Sequence, residues 1–151
     1  MIQNKMKVDK MKILFINASQ NQAGNTSWMG KAFLKDNAFD QINLVDYKIY
    51  QINQHYPDDQ FGKVLARLQK TDWIILGTPA YWHDMSGYLK TLIERIGQDP
   101  ELDTLAGKKL SVFIQGSNPA DTIKPVTEII KRFAQVAHME YIDIQQNFTQ
   151  H

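Results

Sequence analysis

The chain has 151 residues, a length that suits one domain able to bury about 70% of the surface its unfolded form exposes. It contains no cysteine, which excludes disulfides, thiolate metal sites and a catalytic thiol. A net charge of +1 gives no support for nucleic acid or an anionic membrane as a partner. No apolar run approaches the roughly 20 residues of a membrane span, and the charged N-terminus does not resemble a signal peptide. These features predict a cytoplasmic protein.

The first part of the chain reads as strand, loop and helix. Residues 1–10 are polar and are predicted to be a frayed extension that precedes a single domain at 11–151. The apolar run Ile13 to Ile16 predicts a buried first strand. After a polar loop, Asn25-Thr26-Ser27 is predicted to begin a helix. The predicted apolar face of this helix consists of Trp28, Met29, Ala32 and Phe33.

A second strand and helix are predicted before residue 70. Residues 41–46 alternate between polar and apolar, as an edge strand does. The irregular stretch 47–57 leads to a helix predicted to begin at Asp58-Asp59, where carboxylates would meet the positive end of the helix dipole. The buried stripe of this helix would be Phe61, Val64, Leu65 and Leu68.

The stretch 72–97 contains a strand, a loop and a helix. Trp73 to Leu76 is a continuous apolar run, typical of a strand buried on both faces. The loop that follows carries two aromatic residues, Tyr81 and Trp82, between Gly77 and Gly87. The helix shows a single apolar face made of Leu89, Leu92, Ile93 and Ile96.

The last third adds a strand, a helix and a strand. Residues 110–114 form the fourth predicted strand, and 141–144 form the fifth. A helix is predicted from about Ala120 to His138, with its firm start near Thr122 because Pro125 lies in its first turns.

Five strands alternating with four helices predict a three-layer, doubly wound α/β fold with a parallel sheet of order 2-1-3-4-5. In that topology ligands bind at the carboxyl ends of the strands, beside strands 1 and 3. Three loops, 19–26, 78–86 and 116–119, should therefore converge on one site.

The first loop has the chemistry of an anion site. Ser19, Asn25, Thr26 and Ser27 offer hydroxyl and amide groups beside the free N–H groups of a helix start. The alternative interpretation is that Thr26 and its neighbours merely cap the helix. Neither a Walker loop nor a G-x-G-x-x-G motif is present.

The second loop suits a flat conjugated ligand, because Tyr81 and Trp82 lie beside Pro79. Alternatively, Trp82 packs on the sheet or at a subunit interface. His83 and Asp84 suggest acid–base chemistry, but an adjacent pair in a loop is more typical of a solvated surface, so His83 is a weak catalytic candidate. The four histidines show no metal-ligand spacing, and no metal is assigned.

Two motifs carry a family resemblance over about residues 11–145. The opening M-K-I-L-F-I-N-A-S-Q…G-N-T and the later G-T-P-A-Y-W-H-D-M-S-G-Y-L-K-T-L-I-E-R resemble the flavodoxin-like NAD(P)H-dependent FMN reductases and quinone reductases. The resemblance implies that Ser19, Asn25, Thr26 and Ser27 bind the FMN phosphate. It places Pro79, Ala80, Tyr81 and Trp82 along the flavin ring and ribityl chain, and it matches Gly116 and Ser117 to a third flavin loop less strictly.

The chain departs from the family pattern in two respects. Ala18-Ser19-Gln20-Asn21 replaces the frequent Gly-Ser-Pro-Arg, so an arginine for the phosphate is missing. Relatives with a cysteine cluster after the second strand carry an iron–sulfur centre, which this chain, lacking cysteine, does not share.

The resemblance implies an enzyme that passes hydride from NADH or NADPH, through N5 of FMN, to a small-molecule acceptor such as a quinone, an azo compound or free flavin. It also implies a homodimer. The alternative is a flavodoxin-type electron carrier, although the near-neutral charge is atypical of those acidic proteins. A response-regulator receiver is disfavoured because Asn17 and Ala18 replace its carboxylates, and a relative that has lost flavin remains a third alternative.

Overall fold

A computed structural model describes residues 11–148, so the predicted extension at 1–10 lies outside the described residues. Within this range strands and helices alternate from end to end. The strands are β1 (Ile13–Asn17), β2 (Asp40–Asn43), β3 (Trp73–Pro79), β4 (Lys109–Gln115) and β5 (Glu140–Tyr141). The helices are α1 (Asn25–Phe33), α2 (Phe61–Gln69), α3 (Gly87–Gly97) and α4 (Ala120–Val136).

The sheet has the predicted topology. All five strands run parallel in the order β2-β1-β3-β4-β5. Ile16 of β1 pairs with Ile42 on one side and Leu76 on the other, so the central strands are in register at their apolar positions. The doubly wound, flavodoxin-like architecture is confirmed.

Helices cover both faces of the sheet. On one face α2, α3 and α4 pack over a large apolar core that includes Phe61, Leu89 and Val126. On the other face α1 and the segment around Phe148 enclose a smaller core built on Phe15 and Phe113. The rings of Phe113 and Phe148 stack with their centroids 4.1 Å apart. Among residues 11–148, no helix is long and apolar enough to cross a membrane.

The edge strands are shorter than predicted. β2 ends at Asn43 and continues as a 3₁₀ turn, Leu44–Asp46, because the chain must leave the sheet edge to begin the crossing to α2. β5 consists of two residues, and the chain then turns into a 3₁₀ segment at Gln145–Asn147.

Two helix boundaries also differ from prediction. α2 begins at Phe61, not at Asp58-Asp59, because those carboxylates bind side chains outside the helix. α4 begins at Ala120, two residues ahead of the firm start expected near Thr122, and it continues through Pro125, its sixth residue.

The predicted apolar face of α1 is right for Met29 and Phe33, which pack against the smaller core, and wrong for Trp28 and Ala32, which are exposed. Trp28 is 69% exposed, and the buried positions of the helix are Thr26, Ser27 and Gly30. The reason is close packing: a Cβ on Gly30 would lie 2.3 Å from ring carbons of Phe15. The helix therefore contacts β1 through its backbone at Gly30, and Trp28 points away from that contact into solvent.

Replacing Gly30 should destabilise the fold. Gly30→Ala forces a methyl group into the Phe15 ring, and we expect a loss of about 1–3 kcal/mol in the free energy of unfolding. Gly62→Ala in α2 is the matched control, because nothing lies within 4 Å of its added Cβ. The control should unfold at the same or a higher urea concentration than the parent protein. Equal stability of the two variants would contradict the close packing of α1 on β1.

Candidate functional site

Three loops meet at the carboxyl edge of the sheet, after β1, β3 and β4. The backbone N–H of Gln20 donates to the hydroxyl of Tyr81 at 3.2 Å, which joins the first loop to the second. Ala80 N donates to Gln115 O at 2.9 Å, which joins the second loop to the end of β4. Thr26 Oγ1 donates to Gln115 Oε1 at 3.0 Å, so the start of α1 is tied to β4 as well. The structure therefore brings together the three loops predicted to converge.

A buried asparagine at the end of β1 organises the first loop. The side-chain oxygen of Asn17 accepts the N–H of Ser19 at 3.2 Å, and its amide donates to Asn21 O at 3.0 Å. The same amide donates to Asn43 Oδ1 at 3.0 Å, which ties the loop to β2. Sequence reasoning used Asn17 only to argue against a receiver domain, although a polar residue closing an apolar run was the available signal for its role in the loop.

The hydroxyls expected to contact phosphate are engaged in building the loop. Ser27 Oγ accepts from Gln41 Nε2 at 3.0 Å, and Thr26 binds Gln115 as described above. Ser19 Oγ accepts the N–H of Asn21 at 3.0 Å. All three side chains are buried, whereas Asn25 is exposed. Their hydroxyls therefore fix the shape of the loop and the direction of α1.

The start of α1 presents free backbone donors. Its N-cap residue is Gly24, which has no side chain to cap the helix, so the capping role considered for Thr26 is not found. The first intrahelical bond runs from Trp28 N to Gly24 O at 3.0 Å. Among residues 11–148, the N–H groups of Asn25, Thr26 and Ser27 have no acceptor. Three unpaired N–H groups at the positive end of a helix dipole form a site suited to a phosphate.

The second loop is a tight hairpin turn. Tyr81 and Asp84 exchange two backbone hydrogen bonds, at 2.9 and 3.1 Å. The two residues between them, Trp82 and His83, have φ angles of 53° and 62°. Positive φ at both central positions is the property of a type I′ turn, which favours asparagine and glycine there. A tryptophan and a histidine hold this conformation at a cost of about 1–2 kcal/mol per residue.

The tip of this turn is open to solvent. Trp82 is 97% exposed, so it does not pack on the sheet. Of the roles considered for it, ligand contact and a subunit interface remain. The base of the loop, by contrast, is firmly held. Ser86 Oγ accepts the N–H of Leu89 at 3.2 Å as the N-cap of α3, and Ser86 N donates to Thr78 Oγ1 at 3.0 Å. The second loop thus has a rigid base and an exposed aromatic tip.

The third loop and the start of α1 line one cleft. Its volume is about 490 Å³, within the range of small-molecule sites. The cleft is lined by three of the predicted ligand-binding residues, Asn25, Gly116 and Ser117. Pro79 and Ala80 lie beside it, since Pro79 pairs with Gln115 at the end of β4. Ala80 is also close to Gly116, where an added Cβ would lie 3.5 Å from the Cβ of Ala80.

A second cleft, of about 480 Å³, lies beside Tyr81, which does not line the first. Tyr47, Tyr50 and Tyr88 line it together with Tyr81. Sequence reasoning missed it because its wall belongs to the irregular connection between β2 and α2, which shows no periodic pattern.

Arg95 of α3 holds that wall in place. Its guanidinium donates to both carboxylate oxygens of Asp59, at 3.1 and 2.7 Å, and to Tyr50 O at 2.6 Å. It also lies 4.5 Å from the ring centroid of Phe61. Both charged side chains are mostly buried, with exposed fractions of 18% and 21%. Hydrogen bonding to Arg95 lowers the pKa of the Asp59 carboxyl below its ordinary value.

Histidine and carboxylate residues do not assemble a metal centre in the described part of the chain, where no group of three or more potential ligands occurs. His83 Nδ1 lies 2.6 Å from Asp121 Oδ2, within hydrogen-bond distance. The weak acid–base candidate is therefore paired with a carboxylate of α4 on the protein surface.

Comparison with known proteins identifies the family. The model of the NADPH-dependent FMN reductase family matches residues 11–149. The chain belongs to this family. It is accordingly an NAD(P)H-dependent oxidoreductase with FMN as its cofactor, as the sequence motifs predicted. The neutral donor set at the start of α1 fits the phosphate of that cofactor, although arginine and lysine are absent from residues 18–27.

Individual relatives agree with the family. YwqN of Bacillus subtilis, whose name describes an NAD(P)H-dependent FMN-containing oxidoreductase, is 28% identical over 144 residues, covering 85% of this chain and 78% of that protein. An iron-sulfur flavoprotein of Archaeoglobus fulgidus is 31% identical over 98 residues, or 56% of this chain and 48% of that one. An FMN-dependent NADH-azoreductase of Bacillus anthracis, solved with FMN, shares the fold with a TM-score of 0.65 at 13% identity, covering 93% and 90% of the two chains.

Removing the arginine that holds the tyrosine-lined wall should destabilise the protein in a pH-dependent way. For Arg95→Gln we expect a loss of about 1–3 kcal/mol in unfolding free energy at neutral pH. Because the folded-state pKa of Asp59 is lowered, the ion pair contributes fully above the ordinary pKa of an aspartate and is lost as the pH falls through the lowered value. The difference between variant and parent should therefore shrink in acid.

The measurement is urea unfolding at neutral and acidic pH. Lys90→Gln is the control on the same helix, because Lys90 makes only an exposed pair with Glu94 at 3.6 Å. An Arg95→Gln variant no less stable than this control would show that the wall does not depend on the guanidinium.

Proposed function

We propose that this enzyme transfers hydride from NADH or NADPH, through bound FMN, to a small-molecule acceptor such as a quinone, an azo compound or free flavin. Family membership supports the flavin and the nicotinamide. The observation that carries the proposal for this chain is the trio of unpaired N–H groups at the start of α1, beside the aromatic turn at Tyr81. FMN carries a phosphate at one end and a flat ring at the other, and the helix start and the aromatic turn suit these two groups.

In this proposal backbone N–H groups bind the phosphate, and the side chains of the loop keep those N–H groups in place. The N–H groups of Asn25, Thr26 and Ser27 bind the phosphate oxygens, while the buried hydroxyls of the loop, that of Ser19 included, keep those groups aligned. Helix donors are fixed before the ligand arrives, so binding requires little reorganisation.

The other two loops are proposed to border the flavin ring. Pro79, Ala80, Tyr81 and Trp82 lie on the β3 side, and Gly116 and Ser117 lie on the β4 side, where the joined ends of the two strands keep the loops at a fixed spacing. FMN held between these loops would supply the redox chemistry, the uptake and release of two electrons. No side chain of the site is required as a nucleophile.

A homodimer and a cytoplasmic location are further parts of the proposal and rest on the resemblance. A subunit interface is also one of the two remaining roles for the exposed indole of Trp82.

Turnover distinguishes the reductase from an electron carrier. Protein reconstituted with FMN should oxidise NADH, NADPH or both when a quinone or an azo compound is supplied, measured as loss of nicotinamide absorbance. The matched control is the same mixture with protein denatured beforehand. If the protein binds FMN and takes on its yellow absorbance, yet oxidises neither nicotinamide, the electron-carrier alternative replaces the reductase.

A proline at the first position of α1 tests the phosphate site directly. Asn25→Pro removes one N–H group without opposing the helix, since proline suits that position and Gly24 before it is extended, with φ −99° and ψ −161°. Losing a hydrogen bond to a charged group should weaken FMN binding by about tenfold or more. Riboflavin, which has no phosphate, should bind the variant as it binds the parent protein.

Asn25→Ala is the control, because it removes the same side chain and keeps the N–H. Fluorescence titrations of the protein without cofactor give both affinities. Equal FMN affinities for the proline and alanine variants would show that this N–H does not bind the phosphate.

A further inference from the structure

The tip of the second loop is joined to helix α4 by an ion pair. His83 Nδ1 lies 2.6 Å from Asp121 Oδ2, and the other oxygen of that carboxylate accepts a hydrogen bond from Thr122 Oγ1 at 3.3 Å. Asp121 lies in the first turn of α4, directly after the third loop. The ion pair therefore connects the second loop to the third at their outer ends.

The same loops are also connected at their base, where Ala80 N donates to Gln115 O at 2.9 Å. Tyr81 is held as well, since its hydroxyl accepts the N–H of Gln20 at 3.2 Å, but neither of these bonds reaches Trp82 or His83 at the tip. A second connection at the tip fixes the direction in which the turn points, and with it the position of the Trp82 indole.

The tip has no other polar anchor in the described range. Within residues 11–148, no other hydrogen bond or ion pair involves the side chain of Trp82 or His83. The indole is 97% exposed, so burial does not hold it either. Both residues have left-handed backbone angles, which few side chains favour. The direction of the turn therefore depends on the pair between His83 and Asp121.

The pair between His83 and Asp121 can be removed without unfolding the protein. The side chains are 77% and 59% exposed, and exposed ion pairs contribute little to global stability. Removing the pair should leave the sheet, the core and the two backbone bonds of the turn intact. Only the orientation of the tip relative to α4 should change.

We propose that His83 is a positioning residue that, through Asp121, holds the Trp82 turn beside the crevice between the second and third loops and slows the loss of FMN from it. The inference rests on the proposed function, because that function places the flavin between these loops. His83 acts on the cofactor through the turn and does not contact the reacting atoms.

Four single variants and one double variant separate this role from a general effect on structure. His83→Asn removes the imidazole but retains a residue that tolerates positive φ, and Asp121→Asn removes the opposing charge. His83→Lys places an N–H donor with a positive charge opposite Asp121. His138→Asn is the matched control: His138 is also an exposed histidine with positive φ, 58°, but it follows the far end of α4 and belongs to none of the three loops.

Dissociation of FMN is measured by stopped-flow fluorescence. His83→Asn and Asp121→Asn should each release FMN about two- to fivefold faster than the parent protein, the size of effect that exposed ion pairs produce. The double variant should release FMN no faster than either single variant, since both remove the same interaction. His83→Lys and His138→Asn should behave like the parent protein.

A second readout uses the protein without FMN. Backbone ¹⁵N relaxation should show the amides of Trp82 and His83 more mobile in His83→Asn than in the parent or in His138→Asn. Unchanged mobility together with unchanged FMN release in His83→Asn and Asp121→Asn overturns the inference. If the parent protein fails to take up FMN, the proposed function is lost, and tip mobility alone then decides whether the ion pair holds the turn.

Discussion

The candidate site depends on one buried carboxamide. Asn17 has no exposed surface, yet its side chain makes hydrogen bonds to the backbone of the first loop and to Asn43 of β2. A buried amide left without partners costs about 1–3 kcal/mol, so the loop is constrained to fold around it. The shape of that loop determines where α1 begins. The position of the free N–H groups at the helix start therefore follows from the hydrogen bonds of a side chain at the end of β1.

Apolar runs and helical periodicity were sufficient to predict the order of the elements and of the strands, because a parallel sheet with short connections admits few topologies. Element ends were less predictable. Asp59 has the sequence signature of a helix start, but its carboxylate is bound by Arg95, which lies 36 residues further along the chain. Local patterns carry no information about such distant partners. The error about Trp28 on α1 has a similar cause. The helix packs on Phe15 at Gly30, a residue without a side chain, and a search for apolar side chains does not detect such a contact.

The position of the site was predictable and part of its chemistry was not. Parallel topology places the three loops at one edge, and the aromatic and Ser/Thr-rich segments indicated the kind of ligand. The sequence does not show which polar side chains form hydrogen bonds within the protein. Thr26 and Ser27 have hydroxyls suited to phosphate, yet Gln115 and Gln41 occupy them. The tyrosine-lined cleft was invisible because no periodicity marks the connection that forms its wall.

The phosphate-type site at α1 is made of peptide groups, and this affects how it can change during evolution. Any amino acid except proline supplies the same N–H group, so substitutions at positions 25–27 can leave the donors in place provided that the helix still begins there. Selection then acts on the residues that set the helix start, such as Gly24 and Asn17. A site of this kind can persist while its sequence motif changes.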